Sequence, residues 1–287
     1  MNIFSSLVLR TCFLSTLILF AVPLSAQASL PQASSVPGGI AIIRLVKVAT
    51  NAQPPQAWLG DLPVLVTADH GLWHAVVGLP LSMKPGRHEL IVEIHGVRKT
   101  RVFKVKSKRY PEQHITLEDK GKVELSPENE ARAVREIATI KQLKLHWREE
   151  KDIDLEFILP ATGRLSGNFG LRRFFNGEPR SPHAGLDVAV ASGTPVNASA
   201  HGIVLAVDDY FFNGKTVFVD HGNGLITMYC HLDRIDVQTG NAVNQGQLLG
   251  LSGQTGRATG PHLHWSVILN GAMVNPQLFL AANKRAK

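Results

Sequence analysis

Cysteine is nearly absent from this chain: 287 residues hold only Cys12 and Cys230. Cys12 lies in an N-terminal segment expected to be removed, so one thiol remains, no internal disulfide can form, and stability has to come from packing. Neither cysteine follows the first apolar run directly, where a lipid-anchored precursor would need it. That run, Thr11 to Leu24, is about 14 residues long, against the roughly 20 that span a bilayer, so stable membrane insertion is excluded as an expectation. Charged residues are sparse at 18% beside 44% hydrophobic ones, which separates the chain from disordered and collagen-like classes. A His-Glu-x-x-His helix is also missing, and with it the glutamate base of that class of zinc protease.

What is present begins with an export signal. Arg10 precedes the apolar run and Ala26-Gln27-Ala28 follows it, so residues 1–28 read as a secretory signal peptide cleaved after Ala28. The expected location is periplasmic, or extracellular and associated with the cell wall. Net charge is +7 with a pI near 9.5, which favours an anionic neighbour such as wall or membrane surface and makes nucleic acid a poor fit. The length admits two domains, each with its own core.

Residues 29–39, rich in Ser, Pro, Gln and Gly, read as a flexible leading segment. From Ile40, short Val, Ile and Leu runs alternate with Gly, Pro and Asn clusters, and residues 40–125 are expected to form a small immunoglobulin-like β-sandwich of about seven strands. Ser126-Pro127-Glu128 is a helix start, and residues 126–150 read as a connecting helix packing through Val134, Ile137, Ile140 and Leu145 while Arg132, Arg135, Glu136 and Lys141 stay wet. Residues 151–287 are dense in glycine, as tight turns between short antiparallel strands require. Two similar runs there, from Gly193 to Val204 and from Gly240 to Gly250, read as equivalent hairpins. The fold class is therefore mostly β.

Six of the twelve histidines fall between His183 and His264, four of them in three motifs. In His183-Ala184-Gly185-Leu186-Asp187, strand spacing brings an imidazole and a carboxylate to one side, with Gly185 leaving space between them. His262-Leu263-His264 puts two rings on one face and Leu263 in the core. Together the motifs offer three donors and a spare histidine, a set suited to catalytic zinc, which takes three protein ligands and a water. Proton acceptance and oxyanion stabilisation then fall to histidine as well. His231 is the further candidate, on a strand where alternation places Tyr229 and His231 opposite Cys230.

From about Leu159 to Phe279 the chain resembles the zinc metallopeptidases of the lysostaphin and LytM type. The likeness runs through Gly167-Asn168-Phe169-Gly170, Arg172, His183-x-Gly185-x-Asp187, Gly193-Thr194-Pro195-Val196, Tyr229-x-His231-Leu232, Gly253-x-Thr255-Gly256 and Thr259-Gly260-Pro261-His262-Leu263-His264. The resemblance implies that His183, Asp187 and His264 bind one Zn2+, and that His231 and His262 transfer protons and stabilise the oxyanion. It implies a two-sheet β fold of the LytM type and, as substrate, the cross-linked stem peptides of bacterial peptidoglycan. The region before the helix looks similar to the β domain that precedes the catalytic domain in some Gram-negative relatives, most of all at Tyr110 to Ile115 and Lys122 to Pro127. A non-hydrolytic regulator of separate cell-wall amidases is the alternative that such a family allows.

Other residues carry weaker signals. His221 reads as a turn residue, His201 as a turn or cleft residue, Cys230 as a small buried hydrophobe, and His70, His74, His88, His95 and His114 as surface positions. The aromatic loops at Arg172 to Asn176 and Tyr210 to Asn213 are candidate walls of a substrate groove.

Overall fold

The structure, a computed structural model, describes residues 30–49, 53–116 and 125–281. The expected signal peptide at residues 1–28, with Cys12, lies outside the described residues, as does Lys122-Val123-Glu124. Seven strands fill residues 40–105: β1 (Ile40–Lys47), β2 (Gln56–Leu59), β3 (Leu62–Pro63), β4 (Leu65–Asp69), β5 (Leu72–Gly78), β6 (Gly86–Ile94) and β7 (Val97–Val105). They make two sheets, ordered β1-β5-β4 and β3-β2-β6-β7, joined by a core of Ala41, Leu45, Ala75, Val77, Leu90 and Val92. This is the sandwich that the strand pattern predicts. His70 and His95 are exposed, as expected, and each sits at positive φ before a glycine of positive φ, the backbone of a two-residue hairpin turn.

Beyond the sandwich come β8 (Glu112–Ile115), the helix α1 (Pro127–Lys144), and twelve further strands: β9 (Arg164–Gly167), β10 (Arg172–Phe175), β11 (Glu178–Pro179), β12 (Leu186–Ala189), β13 (Pro195–Asn197), β14 (Gly202–Tyr210), β15 (Gly214–Gly222), β16 (Leu225–Ile235), β17 (Ala242–Val243), β18 (Leu248–Ser252), β19 (Leu263–Leu269) and β20 (Ala272–Val274). Most join one sheet along the path β17-β14-β15-β16-β19-β12-β9, with β18 pairing both β13 and β16 and β20 pairing β19. The two similar glycine-bounded runs are not hairpins. Each exchanges strands with the other, β13 with β18 and β14 with β17, because the short apolar stretches bury better against their counterparts than against themselves.

Alternation along β16 and β19 sorts side chains to two faces. Tyr229 pairs with Trp265, and both lie fully buried in the main core with Phe157, Val217 and Leu263, where burial of each large apolar side chain contributes about 1.5–3 kcal/mol. Phe218, Ile226, Met228, Cys230 and Ile268 occupy the other face, under Ile140 and Leu143 of α1. The helix is thus a cover for the sheet. Ser126 caps it by accepting from the Asn129 N–H at 3.3 Å, but its packing stripe is not the expected one. Val134 and Ile137 are 62% and 57% exposed, while Ala133, Glu136, Ile140 and Leu143 face inward. Polar docking decides this rotation: Glu136 accepts the Phe211 N–H at 2.6 Å and Arg132 donates to the Asp209 carbonyl at 2.8 Å.

The sandwich does not stand apart from the large sheet. Ile40, Leu65 and Val76 enter the main core, and Asn270, in the turn between β19 and β20, is clamped to Gly78 of β5. Gly78 donates its N–H to Asn270 Oδ1 at 2.6 Å, and Asn270 Nδ2 donates to the Gly78 carbonyl at 3.1 Å. The leading segment, expected to be flexible, is hydrogen-bonded to both sides. Gln32 donates its N–H to the Leu278 carbonyl and Gly38 its N–H to the Leu79 carbonyl, while the Gly38 carbonyl accepts from the Asn275 N–H.

Candidate metal centre

Asp187 on β12 lies directly across from His264 on β19, so sheet register alone brings these two together on one face. His183 reaches them differently. It precedes β12 in irregular chain, and the expected strand spacing from His183 to Asp187 is absent. Its backbone is instead held by its own N–H donating to the Leu171 carbonyl and its carbonyl accepting from Gly170. The three donor atoms converge: His183 Nε2 is 3.0 Å from Asp187 Oδ1, His264 Nδ1 is 2.8 Å from the same oxygen, and the two nitrogens are 3.0 Å apart. Ligands about 2.0 Å from a tetrahedral ion stand about 3.3 Å from one another, so these donors need open by only a few tenths of an ångström.

The protonation pattern supports a cation at this point. His183 Nδ1 lies 2.8 Å from the Asn168 carbonyl, which can only accept, so a neutral ring turns the lone pair of Nε2 toward its two partners. His264 Nε2 is 2.9 Å from the Ser266 hydroxyl. Burial pushes the His264 imidazole down, toward the neutral form that metals bind. Burial works to raise the Asp187 carboxyl, but the facing His183 and His264, to whatever extent they carry a proton on the shared side, outweigh it and hold the group well below the usual carboxylate range. Gly185 leaves the space expected of it, since a Cβ there would lie 2.5 Å from the His264 ring and 2.6 Å from Ser266 Oγ.

His231 and His262 stand beside this tripod, their ring centroids 4.7 Å apart and His231 6.2 Å from His264. Each has Nδ1 tied to a carbonyl at 2.8 Å, Thr255 for His231 and Gly260 for His262, so each ring, when neutral, presents Nε2 as an acceptor. His262 Nε2 is 3.9 Å from Asp187 Oδ1. Burial, with repulsion from His264 and His262, pushes His231 down to about 3. Simple alternation predicts His231 on the side of Tyr229, opposite Cys230, and the structure differs. The register of β15 on β16 slips between Lys215 and Val217, and His231 sits in the slip with φ 63°. This bulge turns its ring out of the core and toward His264, on the face that carries Cys230.

All five expected site residues are therefore brought together. Sequence reasoning missed Arg173, which donates to Asp187 Oδ2 at 3.3 Å, and the carbonyls of Asn168, Thr255 and Gly260, which no side-chain motif reveals. His221 is not a turn residue but a buried one, bonded through Nε2 to Thr227 Oγ1 at 2.8 Å and through Nδ1 to the His201 carbonyl at 2.6 Å. His201 donates from Nε2 to the Asp152 carbonyl. Cys230 is buried as expected, and burial pushes its thiol up to about 12. Arg172 to Phe175 form strand β10 instead of the expected loop, and this strand meets the turn at Phe211 to Asn213 through Arg257, whose guanidinium lies 4.2 Å from the Phe212 ring and 5.4 Å from Phe175.

Residues 181–276 match the model of peptidase family M23, and residues 33–108 match that of the peptidase family M23 N-terminal domain. The chain is 45% identical over 113 residues to the peptidoglycan DD-endopeptidase ShyA of Vibrio cholerae, a match covering 39% of this chain and 26% of ShyA. It is 41% identical over 113 residues to the DD-carboxypeptidase/endopeptidase Mpg of Neisseria meningitidis, with the same 39% and 26% coverage. The chain thus spans about a quarter of the length of these curated relatives. A crystal structure of a peptidase M23 from Pseudomonas aeruginosa superposes with a TM-score of 0.72 at 42% identity, covering 87% of this chain and 96% of that one. With both domains matched and that structure paralleled almost end to end, the chain belongs to peptidase family M23.

Proposed function

We propose that this protein is a zinc-dependent endopeptidase that hydrolyses peptide cross-links of bacterial peptidoglycan and so contributes to cell-wall remodelling. The observation that carries the reading is the convergence of His183, Asp187 and His264 within 3.0 Å of one another, flanked by two histidines with Nε2 free to exchange a proton. These three residues would hold one Zn2+. When bound, zinc polarises a peptide carbonyl and makes hydroxide available near neutral pH. His231 and His262 divide proton transfer and oxyanion stabilisation; either ring donates from Nε2 only after first taking up a proton there, since Nδ1 is committed to a carbonyl. The substrate is proposed from the names of ShyA and Mpg, together with the export signal and basic charge that suit a periplasmic enzyme acting on an anionic wall. Residues 151–287 would be the catalytic domain and residues 40–125, with α1, its support. The intact ligand set favours hydrolysis over a purely regulatory role.

The test is replacement of His183 or Asp187 by Ala in the purified mature chain. Elemental analysis should show zinc falling from about one ion per chain to near none, and mass spectrometry of digested cell wall should show loss of cross-link cleavage. Undiminished cleavage by either variant would remove the metal mechanism, and a wild-type chain that binds wall without zinc or cleavage would favour the regulator.

A further inference from the structure

Among the described residues, the N-terminal part of the chain approaches the candidate centre through Tyr110, whose ring packs against Phe169, and through the strand that follows it. Strand β8, which precedes α1, lies parallel to β10 with Arg172 opposite Glu112, Arg173 opposite Gln113 and Phe174 opposite His114. The pairing is reinforced on each side. Arg172 donates to Glu112 Oε1 at 2.7 Å, and the His114 ring stacks on Phe174 with centroids 4.7 Å apart and planes 11° apart. The sheet so formed has the order β11-β10-β8 and is separate from the large one, so β8 is the only strand other than β11 that flanks β10 among the described residues.

Between these flanking contacts stands Arg173. Its Nε donates to Gln113 Oε1 at 3.2 Å, and its second terminal nitrogen donates to Asp187 Oδ2 at 3.3 Å. The carboxylate of Asp187 is thereby divided, with Oδ1 facing His183 and His264 and Oδ2 taken by Arg173. A planar guanidinium bridges two acceptors in a fixed fork, which a lysine cannot reproduce. Partners of this kind orient a ligating carboxylate, and their loss lowers metal affinity by about 10- to 100-fold.

We propose that Arg173 is a positioning residue for Asp187, and that strand β8, through Gln113, holds Arg173 in place. The N-terminal part of the chain then completes the metal centre instead of merely docking against it. This rests on the zinc reading above.

The experiment uses the full mature chain. Zinc affinity is measured by chelator competition, kcat and KM on cross-linked stem peptides, and the Tm of metal-stripped protein, for Arg173→Lys, Gln113→Leu and Gln113→Glu. Arg173→Lys should lower zinc affinity about 10-fold and lower kcat more than it changes KM, with the Tm of the metal-free protein unmoved. Gln113→Leu, a change at a half-buried side chain, should act in the same direction by a smaller factor, and Gln113→Glu, which keeps an acceptor for Arg173, should retain wild-type affinity. Wild-type zinc affinity and kcat in both Arg173→Lys and Gln113→Leu would overturn the inference and leave the metal reading intact. A fall in affinity matched by a fall in metal-free Tm would also overturn it, in favour of a structural role. A wild-type chain that takes up no zinc would remove the metal reading and this inference with it.

Discussion

His221 lies outside the metal centre but bears on how the protein responds to pH. It is 1% exposed, and Thr227 Oγ1, its partner at Nε2, lies 3.0 Å from the Tyr229 hydroxyl, which accepts from the Ser199 N–H. Burial pushes its imidazole down to about 4, so the folded protein holds it neutral, whereas the unfolded chain protonates it near 6.5. As pH falls below about 6.5 the unfolded state takes up a proton first, and stability is lost progressively down to about 4, by about 3 kcal/mol from this group. Denaturant unfolding across that window should show a shallower slope for His221→Gln than for wild type. Equal slopes would mean that His221 does not control acid lability. The motifs of His183, Asp187, His262 and His264 were legible because residue types at short separations are visible in a sequence, although His183 reaches Asp187 from irregular chain and not along a strand. The roles of His221 and His231 were not: one depends on which strand end is buried, and the other on a bulge that arises only when β15 and β16 pair out of step.

At the scale of elements, α1 starts at Pro127, where Ser126 caps it, and ends at Lys144, six residues short of the expected 150. Which stripe it buries depended on Phe211 and Asp209, far away in sequence. Just past the helix, Arg148 donates from Nε to Asp220 Oδ2 at 2.6 Å and from a terminal nitrogen to Glu150 at 2.7 Å. Asp220 is 2% exposed, and the pair ties the helix exit to the end of β15. Removing Arg148 leaves a buried carboxylate short of its cation, so Arg148→Met should destabilise the protein by about 3 kcal/mol at neutral pH. Equilibrium unfolding in urea measures this, and a loss below about 0.5 kcal/mol, the range of an ordinary surface change, would contradict it.

At the scale of the whole molecule, the sandwich and the large sheet share apolar core, and Asn270 is their polar clamp. Asn270→Gly suits the left-handed backbone there, φ 43°, and so isolates the side chain's two hydrogen bonds. With Gly78 N–H and carbonyl left unpaired in a buried interface, the expected cost is about 2–3 kcal/mol. Guanidinium unfolding of wild type and variant checks it; unchanged midpoints would show that apolar packing alone joins the two parts.

The sequence by itself determined the secondary-structure menu, the β class, the residue types at the candidate centre and the order in which they occur, since these follow from local periodicity, turn chemistry and the donor properties of side chains. Tertiary structure alone decided that β13 pairs with β18, that a bulge aims His231, that three backbone carbonyls orient the histidines, and that Arg173 links β8 to Asp187. Each of these is a contact between segments tens of residues apart, whose free energy depends on what lies opposite and so leaves no trace in the local pattern of either segment.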